Sequence, residues 1–326
     1  MPSISLRQPP PEITLFGVLD LASGTDLFLQ GVLCGQFAHY TNVNEQDSWL
    51  MKLFVAGLAL LTTLKTVQIL AIRWTQNVAL FQNLEAVVNL WHTEWISRPT
   101  LILGAVIVFY VQMFFCHRLW ILSHNRYIVV AAVTTFIFAI AAAGVATYLF
   151  TNITLSAIWI ATHLGVAMGG DLLQTGSIVF YLLRHSKTVI RPGPTASMIN
   201  SLLRVTIQSA APGAFCALVN FITTIATVKM HVLDVAGLSA PLVASGVANT
   251  VLPKVYAIAA MWTLNSREDI RSAAANIHPT HLDLDTAALG GTSGPESHNY
   301  FSPGEVDRNG RERIEVKNIE RHSPPV

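Results

Sequence analysis

Seven apolar stretches, each close to the roughly 20 residues that a helix needs to cross a bilayer core, occupy the chain between residues 13 and 264. They run over 13–38, 50–73, 98–122, 127–150, 155–183, 202–228 and 237–264. In hydrocarbon every backbone N–H and C=O must be satisfied internally, so runs of this length dictate helices. The expected fold class is therefore all-α: a polytopic membrane protein with seven transmembrane helices. Composition agrees, with 52% hydrophobic and 12% charged residues and a mean hydropathy of +0.48. A soluble domain carries about 25% charged residues.

The first span is the weakest of the seven, because Asp20 and Asp26 lie within it. Each costs on the order of 2.5–3.5 kcal/mol near a span's centre on the insertion scale, so a six-span topology is the main alternative. The same two carboxylates make the segment unlike a cleaved signal peptide. Trp49, Trp74, Trp95, Trp120, Trp159 and Trp262 fall near the expected span ends, where an amphipathic ring prefers the headgroup level. Trp91 falls in a loop.

Basic residues set the orientation. With the N-terminus outside, the cytoplasmic ends hold Lys52, Arg118, Arg126, Arg184, Lys187, Arg191, Arg204, Arg267 and Arg271, against Arg7, Arg73, Arg98 and Lys229 outside. His117 joins Arg118 on the cytoplasmic face. This places residues 1–12 outside as a short segment, the seven-helix domain over 13–264, and the polar stretch 265–326 in the cytoplasm as a disordered tail. The plasma membrane is the expected location. The loop from Trp74 to Ser97 is the long outer one, and Phe81, Leu84, Val87, Val88 and Trp91 suit a short amphipathic helix on the membrane surface. Asn152-Ile-Thr154 is a glycosylation sequon in an outer loop, though a short loop close to the bilayer.

A net charge of +1 argues against a nucleic-acid partner, which needs clustered phosphate-neutralising Lys and Arg. The expected partners are the lipid bilayer and a small-molecule or lipid ligand; a cytoplasmic partner stays open. Cys34, Cys116 and Cys216 all sit in apolar runs and read as packing residues rather than a disulfide framework. No metal site and no cofactor is expected. A membrane hydrolase would bring several His together from different spans, and spans six and seven have none.

Five segments carry a family resemblance: Asp47-Ser-Trp-Leu-Met-Lys-Leu, Val111-Gln-Met-Phe-Phe-Cys-His-Arg-Leu-Trp-Ile-Leu-Ser, Leu182-Leu-Arg-His-Ser-Lys-Thr, Ile199-Asn-Ser-Leu-Leu-Arg-Val-Thr-Ile-Gln and Leu264-Asn-Ser-Arg. Together they resemble an uncharacterised family of basidiomycete fungal seven-helix integral membrane proteins, a domain of unknown function. The resemblance runs from about Gln30 to Arg267 and implies a fold and a lineage without an established activity. Where that family tends to an Asp-Thr-x-His pattern in span two, this chain has Thr62-Thr-Leu-Lys65. In span seven a usual Ser-Lys is Pro253-Lys254, and a usual Asn four residues later is Ile258.

Ionisable groups inside a membrane are costly and mark functional sites by default. At about 100° per residue, His163, Asp171 and Gln174 share one stripe of span five. With Lys254 of span seven they form the candidate ligand site, the plainer alternative being a structural polar network between helices. Depth matching gives Lys254 a carboxylate partner in Asp26 or Asp171, and pairs Asp20 with Lys65. A lysine in span seven invites comparison with a retinal Schiff base, but span three has no acidic counter-ion. His117-Arg118 and Asn249 with Pro253-Lys-Val-Tyr256 echo G-protein-coupled receptors only faintly. The reading that results is a receptor-like or sensory protein, not an enzyme. The alternative is a small-solute or lipid transporter built around Asp171, with Gly169-Gly170 as a hint of a helix break.

Overall fold

The computed structural model describes residues 11–43, 47–80, 97–150, 152–188, 194–232 and 240–276, and the side chains of most of them. The chain divides into two units, Met1–His278 and Pro279–Val326, and the second lies outside the described residues. So does the expected surface helix carrying Phe81, Leu84, Val87, Val88 and Trp91.

Seven long helices and no strand occur among the described residues: α1 Pro11–Val43, α2 Trp49–Trp74, α3 Pro99–Ser123, α4 Arg126–Tyr148, α5 Ile153–Thr188, α6 Pro194–Val232 and α7 Ala240–Asn276. Five of them, α2 to α6, contain stretches long and apolar enough to cross a membrane, which marks a multi-pass membrane protein. The two that fall short, α1 and α7, carry Asp20, Asp26 and Lys254. The α7 helix also runs past the expected span end at 264 to Asn276.

Local chemistry explains the boundaries. Pro99 opens α3, where a missing N–H costs nothing. His124 closes it in the left-handed region at φ 49°, its N–H donating to the Trp120 carbonyl at 3.0 Å. Asn125 then caps α4, its side chain accepting from the Tyr127 N–H at 3.0 Å, so two residues suffice to reverse the chain. Asn152 opens α5 in the same way, accepting from the Leu155 N–H at 3.2 Å. The candidate glycosylation residue is therefore exposed but engaged as a cap. At the other end of α2 a π-helical turn over Thr75–Ala79 continues the axis.

Consecutive helices pack side by side, α7 closes the ring against α1, and α3 also touches α5 and α7. The contacts set two pairs of consecutive helices antiparallel. Asp26 meets Thr66 and Ser23 meets Arg73 across α1 and α2; Asn220 meets Asn249 and Thr224 meets Ser245 across α6 and α7. Small residues let the helices approach. The buried face of α4 is built from Ala132, Ala139, Ala142, Ala143 and Ala146, and Ser156 of α5 reaches across to the Ala146 carbonyl at 3.0 Å. Gly57 leaves room for the Tyr110 ring, which stacks on Phe54 with centroids 4.9 Å apart.

The distribution of polarity is inverted relative to a soluble protein. Leu21, Phe28 and Leu60 are about 70% exposed on the outside, whereas Asp26, Lys65 and Lys254 are at most 1% exposed inside. An apolar exterior around a polar interior suits lipid as the surrounding solvent. Trp49, Trp74, Trp120 and Trp262 are exposed near helix ends or toward them, as interfacial rings should be.

Candidate functional site

The helix α7 grips the rest of the bundle through two polar clusters on opposite sides. At about 100° per residue, Lys254 and Tyr256 lie roughly 160° apart around its axis, so they face different neighbours.

On the first side, the Lys254 ammonium, fully buried, lies 3.8 Å from Asp26 Oδ2 of α1. It donates to the Thr62 carbonyl at 2.7 Å, to Thr66 Oγ1 at 2.6 Å and to Gln30 Oε1. Thr66 passes its own hydroxyl proton to Asp26 Oδ2 at 3.1 Å, and Gln30 donates to Thr63 Oγ1 at 3.2 Å. An isolated ammonium would cost several kcal/mol at this depth; here it meets a counter-charge and three further oxygens. Among the described residues Asp26 Oδ1 has no hydrogen-bond partner. Lys65 of α2 is buried next to this cluster and donates to the Thr250 carbonyl of α7 at 3.3 Å.

Pro253 follows that carbonyl by three residues. It lies inside the helix and has no N–H for the Asn249 carbonyl one turn back.

On the second side, Tyr256 donates its phenolic proton to Asp171 Oδ2 of α5, and Gln112 of α3 donates to Asp171 Oδ1. Gln174, one turn along α5, reaches the Gln112 carbonyl at 3.5 Å. Three helices therefore meet on the carboxylate of half-buried Asp171, held by two neutral donors. Farther along the α6–α7 seam, Asn220 donates to Asn249 at 2.8 Å, and Thr224 and Ser245 share a proton at 2.8 Å.

The structure thus divides the candidate ligand residues. Asp171 and Gln174 come together around Gln112. His163 does not join them: its Nδ1–H donates to the Ala139 carbonyl of α4 at 2.8 Å. Eight residues of helix put it about 12 Å away along the axis, so a shared stripe is not a shared site. Lys254 joins Asp26 rather than Asp171.

The Asp20–Lys65 pairing is corrected. Asp20 lies 3.5 Å from Arg73 Nη1 and accepts from Asn77 at 3.3 Å, while Lys65 turns inward to α7. Depth alone led to the pairing; Asp20 and Asp26 differ by roughly 120° around α1, and only Asp26 faces the interior. On the expected cytoplasmic face His117 and Arg184 are exposed, and Arg118 is half-buried with Nη1 unpaired. The side chains of Lys187, Arg191 and Arg204 lie outside the described residues. At the same end of α1, Tyr40 donates to Asp47 at 3.1 Å.

Gln30, Thr66 and Gln112 were not singled out from sequence, and Tyr256 was noted only within the Pro253-Lys-Val-Tyr256 pattern. Helical spacing contained the signal for two of them: Gln30 follows Asp26 by one turn, and Thr66 follows Thr62 by one turn, each on the same face. Among the described residues no group of His, Cys, Asp or Glu is arranged to hold a metal.

Residues 167–269 match the model of DUF6534, a family of unknown function. The matched stretch includes Asp171, Lys254 and Tyr256, and so covers α7's half of both clusters. No curated protein and no solved structure matches the chain.

Proposed function

We propose that the chain is a receptor-like or sensory membrane protein of the fungal seven-helix family, spanning the plasma membrane seven times with its N-terminus outside and its tail in the cytoplasm. Its ligand is a small molecule or lipid that reaches the polar groups held by α7.

The observation that carries this reading is the placement of Pro253 in α7, with the contacts of Asn249 to Asn220 and of Thr250 to Lys65 on one side of it and the two polar grips of Lys254 and Tyr256 on the other. Lys254 ties α7 to α1 and α2, and Tyr256 ties it to α3 and α5 through Asp171. A proline inside a helix is where an axis bends. Binding that alters the contacts on one side of the hinge would tilt the half of α7 beyond it and pull on the grips there, so a ligand-side event reaches the cytoplasmic end of the bundle. Small shifts of this kind are amplified where packed helices have two discrete arrangements. Seven helices in a closed ring, with exposed Trp toward the helix ends and basic residues biased to one side, support seven spans and this orientation.

The transporter reading is built around Asp171, with Gly169-Gly170 beside it as a hint of a helix break. The α5 helix runs unbroken from Ile153 to Thr188 through both glycines, and Gly170 serves instead as the contact for the Phe136 ring.

A ligand screen by thermal shift on purified protein, run beside uptake by liposomes containing it, separates the two. A receptor gains stability from its ligand without accumulating it; accumulation of the stabilising compound inside liposomes would overturn the receptor reading in favour of transport.

A further inference from the structure

We propose that Arg118 of α3 and Arg267 of α7 form a binding site for a phosphate group at the end of the bundle where α1, α3 and α7 meet.

Among the described residues Arg118 has no counter-charge. Its Nη1 is buried and has no hydrogen-bond partner there, although a guanidinium offers five N–H donors. The charged neighbour acting on it is a second cation, Arg267. The carboxylate described at this end, Asp47, accepts from Tyr40 at 3.1 Å. It acts on Tyr40 together with Arg267, and not on Arg118. Two guanidinium groups therefore stand against one carboxylate. A buried donor left unpaired beside a like charge is costly, and an anion held between the two groups satisfies the donor and offsets the repulsion.

Position and access favour phosphate. Arg118 lies about 7.5 Å before the end of α3 at Ser123, and the exposed rings of Trp120 and Trp262 lie within two turns of the arginines, at the headgroup level. Both arginines are half-buried, so a ligand meets them from the surface of the bundle and needs no internal cavity. The Asn265 amide donates to the Gln36 carbonyl of α1 at 3.2 Å, which holds the turn carrying Arg267 in place. Planar guanidinium groups bind phosphate oxygens through paired N–H bonds. The phosphate belongs either to a lipid headgroup or to a molecule in solution, and the site stands whether the bundle signals or transports.

The test is a melting-temperature series on the full chain in an uncharged detergent at constant ionic strength. One arm replaces sodium gluconate by sodium phosphate; the other adds dioctanoyl phosphatidic acid, with dioctanoylglycerol as its phosphate-free control. The melting temperature of the unaltered protein should rise by about 3 °C for each tenfold increase of a bound probe above its Kd. A response to phosphatidic acid alone identifies a lipid headgroup, and a response to sodium phosphate identifies a free phosphate. Arg118→Gln should abolish the response, and Arg267→Gln should weaken binding by about tenfold or more. Arg184→Gln, which removes an exposed arginine of α5, should leave it unchanged. If Arg118→Gln does not fold, Arg267→Gln decides. No response in the unaltered protein, a response preserved in the Arg118 and Arg267 variants, or one lost equally in the Arg184 variant overturns the proposal.

Discussion

Asp26 and Lys254 stand 3.8 Å apart with both side chains fully buried, one on the first helix and the other on the last. This contact, with Thr66 and Gln30 around it, closes the ring of helices. It also explains why α1 and α7 fall outside the five helices apolar enough to cross a membrane by composition alone. Each brings a charge that lowers its own hydrophobicity and neutralises the other's.

Breaking the pair one member at a time should therefore be worse than removing both. Lys254→Met alone leaves Asp26 buried with Thr66 as its one hydrogen-bond donor, and is expected to lower stability by about 3–5 kcal/mol. Adding Asp26→Asn should restore a substantial part of that loss. A double-mutant cycle of unfolding in mixed micelles measures the coupling; losses that simply add would show that the two charges do not interact.

The Asp171 cluster should be coupled in the same sense. Tyr256→Phe removes one of two donors to a half-buried carboxylate and is expected to cost about 1.5–3 kcal/mol, as is Asp171→Asn. The double variant should lose less than the sum, because each change removes the same contact. A parallel cycle with Ser177, which is half-buried and donates to the Leu173 carbonyl of its own helix, should show no coupling.

Adjacent glycines in α5 should respond differently. A Cβ at Gly170 would fall 2.6 Å from Phe136 Cε1, whereas at Gly169 nothing lies within 4 Å. Gly170→Ala is expected to destabilise by about 1–3 kcal/mol through overpacking, with recovery when Phe136→Leu is added. Gly169→Ala should be neutral or gain up to about 1 kcal/mol from helix propensity. Melting temperatures of the three variants check both statements, and equal effects at the two glycines would contradict the packing of α4 on α5.

What the sequence disclosed follows from what a helix fixes. Length and hydrophobicity set the helices, and the ~1.5 Å rise per residue set depth, so Asp26 could be matched to Lys254 by position along the membrane normal. Rotation was harder to read. Asp20 and Lys65 matched in depth but face different directions, and the neighbours that decide direction are visible only once the helices pack. His163 shows the converse, sharing a face with Asp171 but not its level. Neutral groups were the least legible: Gln112 and Tyr256 carry no charge to demand a partner, and their role appears only from the carboxylate between them. Proline was readable but passed over in α6, which runs through Pro212 without ending.

The central claim is the seven-span arrangement with opposite sides for the two termini, and tags on the ends test it most directly. One tag before Pro11 and one after His278 are expressed in the same cells, and protease is applied before and after permeabilisation. The expected result is loss of the N-terminal tag in intact cells, with the C-terminal tag protected until the membrane is opened. Both tags on the same side would mean an even number of spans, with α1 outside the bilayer, and would contradict the account.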